Sequence, residues 1–107
     1  MSRSRAERLQ DVRSAIDRCR AYRDYLESPE LALMAYDAIL RNLAVIGEAV
    51  KALPADFKAD HPEVPWPSIA GLRNVVVHEY FRIDVEVIRD ILGQPLSDLA
   101  AVLDVSG

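Results

Sequence analysis

Pro67-Ser68-Ile69-Ala70-Gly71-Leu72-Arg73-Asn74-Val75-Val76-Val77-His78-Glu79-Tyr80-Phe81 is the stretch on which the fold class turns. At its centre Val75-Val76-Val77 places three β-branched residues in a row, a run that favours an extended strand in isolation. The flanks decide otherwise. Ile69, Leu72 and Val76 recur at spacings of three and four, the period of one helix face, and predict a helix over residues 67–80. Pro67 suits its first turn, where a missing N–H has no intrahelical partner anyway, and Trp66 can pack the start of the helix against a core. With this segment helical, no strand-like alternation longer than a few residues is left in the chain.

Working outward, Asp84 is a good N-cap for a following helix. Val85, Ile88, Ile91 and Leu92 form its apolar side, and Gly93 ends it. Pro95 can open a last short helix through Leu96, Leu99, Ala100, Val102 and Leu103. On the N-terminal side, Pro54, Pro62, Pro65 and Pro67 make residues 54–67 the one substantial loop, since no helix could traverse them intact. Before it, Leu31, Met34, Ala35, Ala38, Ile39, Asn42, Leu43, Ile46, Ala49, Val50 and Leu53 hold the helical period for six turns. Leu9, Val12, Ile16, Cys19, Tyr22, Tyr25 and Leu26 do the same over residues 4–27, stopped by Ser28-Pro29. The expected fold is an all-α antiparallel bundle of four to five helices. It forms one domain over residues 1–107, with its core at about 5–103.

Half of the residues are hydrophobic and about a quarter charged, a globular composition. No apolar run is long enough to cross a bilayer, and Arg3, Arg5, Glu7 and Arg8 stand where a signal peptide would need apolar residues, so a cytoplasmic protein is expected. Cys19 is the only cysteine, which excludes an internal disulfide and a cysteine zinc site; on an apolar helical stripe it reads as a small buried hydrophobe. The net charge of −4 argues against wrapping nucleic acid by bulk positive charge. The distribution is uneven, however: residues 1–26 hold seven arginines against four acids, a local +3 that leaves −7 on the remainder. That first helix is either a solvated face or a phosphate-contacting surface.

The chemistry-bearing cluster lies at the end of the third helix. Asn74 and His78, four apart, stack on one face, and Arg73 stands about 100° round from Asn74. A histidine near neutral pKa can take the proton from a ribose 2′-hydroxyl or give one to a leaving oxygen. The forked guanidinium of Arg73 matches phosphate oxygens, and Asn74 could hold the imidazole in one tautomer or bind substrate. A lone histidine, with no second one nearby and no carboxylates at octahedral spacing, does not suggest a metal or other cofactor. It also serves poorly as both acid and base, so catalysis would be more plausible with two copies meeting across a two-fold axis. In the alternative structural reading Arg73 pairs with Asp84 or Glu48, His78 donates to a carbonyl, and the Tyr80 ring packs in the core.

Glu48 follows Gly47 on the apolar side of the second helix, where a carboxylate would want a partner; a structural ion pair that orients Arg73 is expected. Gly47 and Gly71 weaken their helices, which suggests close backbone approach at both. His61, between Asp60 and Pro62, is either a solvated loop histidine or a second proton-transfer group.

Arg73, four residues, His78, one residue, then Tyr80 resembles the Arg-x4-His-x-Tyr signature of the HepT family in the HEPN superfamily, including the polar Asn74 after the arginine. Arg41-Asn42-Leu43 with Ile46-Gly47-Glu48-Ala49 resembles that family's second-helix motif, and Pro65 through Asn74 its loop-to-helix passage. The resemblance covers residues 5–103. It implies a HEPN-like bundle that dimerises with the active site at the interface, and metal-independent cleavage of cellular RNA without a cofactor. Arg73 and His78 would be the catalytic pair and Asn74 the supporting polar group. It also implies a toxin of a type VII toxin–antitoxin system, whose MntA-like nucleotidyltransferase antitoxin neutralises it by transferring AMP to Tyr80. Two other readings compete: a non-catalytic module that binds a nucleotide or RNA or docks the antitoxin, and a purely structural helical dimer.

Overall fold

The computed structural model describes residues 3–106; residues 1, 2 and 107 of the expected domain lie outside the described part. Its first helix begins at a reciprocal cap. The Ser4 hydroxyl accepts from the Glu7 amide at 3.1 Å and the Glu7 carboxylate accepts from the Ser4 amide at 2.9 Å, satisfying two N-terminal donors at once. From there α1 runs over Arg5–Arg23 and buries Leu9, Val12, Ala15, Ile16 and Cys19. The expected helix over 4–27 is therefore shorter. Its last turn tightens into a 3₁₀ turn, Asp24–Glu27, and Ser28 becomes extended, as the residue before a proline prefers. Tyr25, assigned to the apolar stripe, is consequently 48% exposed.

Helix α2, Ala32–Lys51, is the axis of the bundle: α1 packs along one side of it, and two later helices along the other. Arg8 and Lys51 share one groove, while Tyr22 and Leu31 share a hollow at the opposite end, so α1 and α2 are antiparallel as expected. Ile39, Leu40, Leu43, Ile46 and Val50 are essentially without solvent contact. Asn42, the one buried polar side chain among the described residues, returns its amide to the Ala38 carbonyl of its own helix at 2.7 Å. Met34, counted with the apolar face, is instead 68% exposed.

The proline-rich loop is broken up further than expected by one short helix, α3 (Ala55–Ala59), which buries Phe57. Trp66 is buried against Phe57 and donates its indole N–H to the His61 carbonyl at 2.9 Å, which closes the loop on itself. The helix expected over 67–80 is present in two pieces, α4 (Trp66–Ala70) and α5 (Leu72–Glu79), separated at Gly71. Val75-Val76-Val77 is helical: Val76 faces the core and its two neighbours do not. Asp84 caps α6 (Val85–Leu92) by accepting from the Glu86 amide at 2.8 Å, and α7 (Gln94–Ser106) follows, with Pro95 in its first turn. Helices α6 and α7 pack on each other and on α1. Among the described residues there is no strand, and no helix is long and apolar enough to cross a membrane.

Candidate active site

Leu72 and Val76, four apart, are buried and pin one face of α5 against α2. Helical geometry then sends Arg73, Asn74 and His78 outward, and all three are exposed. Five residues of a helix advance about 7.5 Å and turn about 140° in net rotation, so Arg73 and His78 leave α5 in different directions. Among the described residues the guanidinium and the imidazole make no hydrogen bond to each other.

Arg73 is placed by backbone contact more than by its side chain. Gly47 of α2 lies so close to the start of α5 that a Cβ there would sit 2.8 Å from the Arg73 amide nitrogen and 3.1 Å from the Ile69 carbonyl oxygen. The close approach expected at Gly47 is real. At Gly71 the same construction meets only ordinary contacts with α4's own carbonyls, and that glycine instead marks the break between the two helices. Glu48 does pair with Arg73, but the expected burial is wrong: the side chains are 55% and 52% exposed and the Nε to Oε1 distance is 3.9 Å. Gly47, rather than Glu48, occupies the inward position, which turns the carboxylate to solvent. A pair of this kind is worth about 0–1 kcal/mol and restrains Arg73 only loosely.

Neither Asn74 nor His78 makes a side-chain hydrogen bond within the described residues, so Asn74 does not fix the imidazole tautomer in the single chain. Tyr80, by contrast, is held firmly. Its phenol donates to the Asp37 carboxylate of α2, and its ring meets Tyr36 edge-on at 6.0 Å and 84°. Tyr36 in turn donates its hydroxyl to the Tyr80 carbonyl and lies 3.3 Å from that of Ile83, tying the end of α5 to α2. The hydrogen bond to Asp37, and secondarily desolvation and the charge of that carboxylate, push the Tyr80 phenol above its ordinary pKa. Sequence reasoning found Tyr80 and missed Asp37 and Tyr36. They lie 43 and 44 residues away in the chain, on a helix where an acid and a tyrosine carry no signal of their own.

His61 is half-buried. Its ring lies tilted at 5.1 Å from that of Phe57, and it shares a hollow with Asp98, Ala101 and Val102 of α7. Cys19 is wholly buried, and burial pushes its thiol up to about 12.

A family model described as Ribonuclease HepT-like matches residues 7–105. A protein of Thermococcus cleftensis named "Probable ribonuclease HepT" is 37% identical over 94 residues, covering 82% of each chain. A Caldanaerobacter subterraneus subsp. tengcongensis protein named "Putative RNase" is 36% identical over 93 residues, covering 85% of this chain and 80% of that one. A Methanocaldococcus jannaschii protein, also named "Putative RNase", reaches 53% identity over 55 residues, covering 51% of this chain and 46% of the relative. No solved structure matches significantly. The all-helical bundle and a family match that spans nearly all of the chain agree: this protein belongs to the HepT-like ribonuclease family.

Proposed function

We propose that the protein is a metal-independent endoribonuclease, the toxin of a type VII toxin–antitoxin system, acting as a homodimer in the cytoplasm. The observation that carries this reading is the Arg73-x4-His78-x-Tyr80 motif, with Arg73 and His78 exposed and Tyr80 half-buried beside them, in a chain of this family. Because Arg73 and His78 diverge on α5, a second protomer is needed to assemble a site. Leu33 at 78% and Phe81 at 94% exposure share an apolar hollow beside α5, a surface suited to that association.

In such a dimer the His78 of one protomer takes the proton of a ribose 2′-hydroxyl as that oxygen attacks the adjacent phosphorus. The bond from phosphorus to the 5′ oxygen breaks, and the partner's His78 protonates the leaving oxygen, giving a 2′,3′-cyclic phosphate. Each proton transfer is worth roughly 10²–10⁴ in rate. Arg73 braces the non-bridging oxygens as charge develops, with Asn74 as a supporting polar contact.

Tyr80 is the switch. A MntA-like nucleotidyltransferase transfers AMP from ATP: the phenol oxygen attacks the α-phosphorus, pyrophosphate leaves, and the phenol proton is lost. The product puts an anion two residues from His78 and beside Asp37, which blocks the cleft and repels an RNA phosphate. The test is intact mass after incubation with the neighbouring nucleotidyltransferase and ATP, with total RNA treated in parallel. AMP added to wild type and absent in Tyr80→Phe, with RNA cut by unmodified wild type and left whole by a folded His78→Ala, is the expected result. RNA bound but never cut would leave a non-catalytic binding module.

A further inference from the structure

An open groove of about 840 Å³ runs between the N-terminal turns of α1 and the C-terminal turns of α2, and Arg73 of α5 lines it as well. Five cations border it (Arg3, Arg8, Arg41, Lys51 and Arg73) against the acids Asp11 and Glu48, a local +3 in a chain whose net charge is −4. Not all of these charges are available. Arg3 is spent on Asp11, with two hydrogen bonds of 2.7 Å each, and Arg73 has Glu48 at 3.9 Å. Arg8, Arg41 and Lys51 have no ion pair among the described residues.

Three cations without an ion-pair partner share one concave strip, while the rest of the chain carries a net negative charge, which makes this strip the place for an anionic ligand. The apolar part of the lining is aliphatic, chiefly alanines, and no aromatic side chain is present to stack a base. A groove that offers cationic side chains without an aromatic platform for bases suits backbone phosphates, which carry the charge, more than it suits stacked bases. One narrow strip tracks one strand. We infer that this groove carries the phosphate backbone of single-stranded RNA on one side of the cleavage point, with Arg8, Arg41 and Lys51 as its contacts and Arg73 as its junction with the catalytic centre. The delivery role rests on the ribonuclease reading above; the phosphate-binding role does not.

The experiment titrates a labelled oligouridylate with His78→Ala protein across a range of salt concentrations, beside the same protein carrying Arg8→Gln, Arg41→Gln and Lys51→Gln. Each single-strand phosphate contact contributes about −0.7 to the slope of log K against log salt. The triple variant is therefore expected to flatten the slope by about 2, with the largest loss of affinity at low salt. A companion carrying Arg41→Lys and Lys51→Arg should keep the full slope. Arg8 is half-buried and Arg41 and Lys51 are exposed, and none of the three makes a side-chain hydrogen bond among the described residues, so the fold is expected to persist and circular dichroism would verify it. With His78 restored, the triple variant should lose RNA cleavage mainly through KM. An unchanged slope would overturn the inference, as would loss of nucleotidyltransferase binding with RNA binding intact, which would make the groove a protein-docking surface. If wild type binds with the expected slope but cuts no RNA, the ribonuclease reading fails and the groove stands.

Discussion

The phenol of Tyr80 donates its hydrogen bond to the carboxylate of Asp37, joining the end of α5 to the first half of α2 across 43 residues of sequence. The motif tyrosine is thus held against a second helix and does not hang free beside the histidine, and Asp37 is the group placed to take the phenol proton in a reaction at its oxygen.

Asp37 raises the phenol's pKa above the ordinary value of 10.0, so an ultraviolet titration of the native protein should show Tyr80 ionising above the ordinary phenol range. Asp37→Asn, which keeps an acceptor and removes the charge, should bring Tyr80 back toward the ordinary value. The sign for stability follows from the direction of the shift. The contribution is fully present below the unfolded phenol's pKa and is lost as pH rises through the higher folded value. The thermal midpoint of wild type should therefore fall more steeply than that of the variant in the alkaline range above about pH 10. Parallel curves would show that the hydrogen bond is not kept in solution.

Gly47→Ala should destabilise the protein, although alanine is the better helix former by up to about 1 kcal/mol. The added Cβ would lie 2.8 Å from a backbone nitrogen, which cannot swing aside as a side chain can. Overpacking of this kind costs typically about 1–3 kcal/mol, a fall of several degrees in midpoint for a domain of this size. Because the displaced atom belongs to Arg73 itself, RNA cleavage should drop even below the unfolding temperature. A gain in midpoint would mean that the two helices separate freely.

Leu33→Glu together with Phe81→Glu should convert a dimer into a monomer, measured as mass in solution by light scattering. Both side chains are already exposed in the single chain, at 78% and 94%, so the folded monomer should persist with little loss of secondary structure. Cleavage should vanish with the dimer, since the proposed site takes one His78 from each protomer. A monomeric variant that still cuts RNA would refute the two-protomer site.

Cys19 should resist thiol reagents in the native protein and react only on unfolding. Its thiol is wholly buried and pushed up to about 12, and thiolate is the reactive form. Labelling followed against denaturant should coincide with the loss of helical signal; rapid labelling of native protein would contradict the packing of α1 on α2.

What the sequence determined by itself is what depends on neighbours along the chain. The period of three and four in residues 31–53, the prolines of residues 54–67 and the Asp84 cap are local statements, and each has its counterpart in the structure. The spacing of Arg73, His78 and Tyr80 is also local, but it was the resemblance to a family motif, and not the spacing alone, that singled these residues out. Local reading also has limits, seen in the tightened last turn of α1 and the break at Gly71, where small differences between helical geometries are settled by the packing around them.

Only the tertiary structure decided what depends on segments far apart. It turned Glu48 to solvent, because Gly47 and not its neighbour meets the backbone of α5. It brought Asp37 to Tyr80, and it gathered Arg8, Arg41 and Lys51 into one groove from two antiparallel helices. A residue's place on its own helix follows from a rotation of about 100° per position, but which helix it faces depends on how the apolar faces of all the helices are buried together.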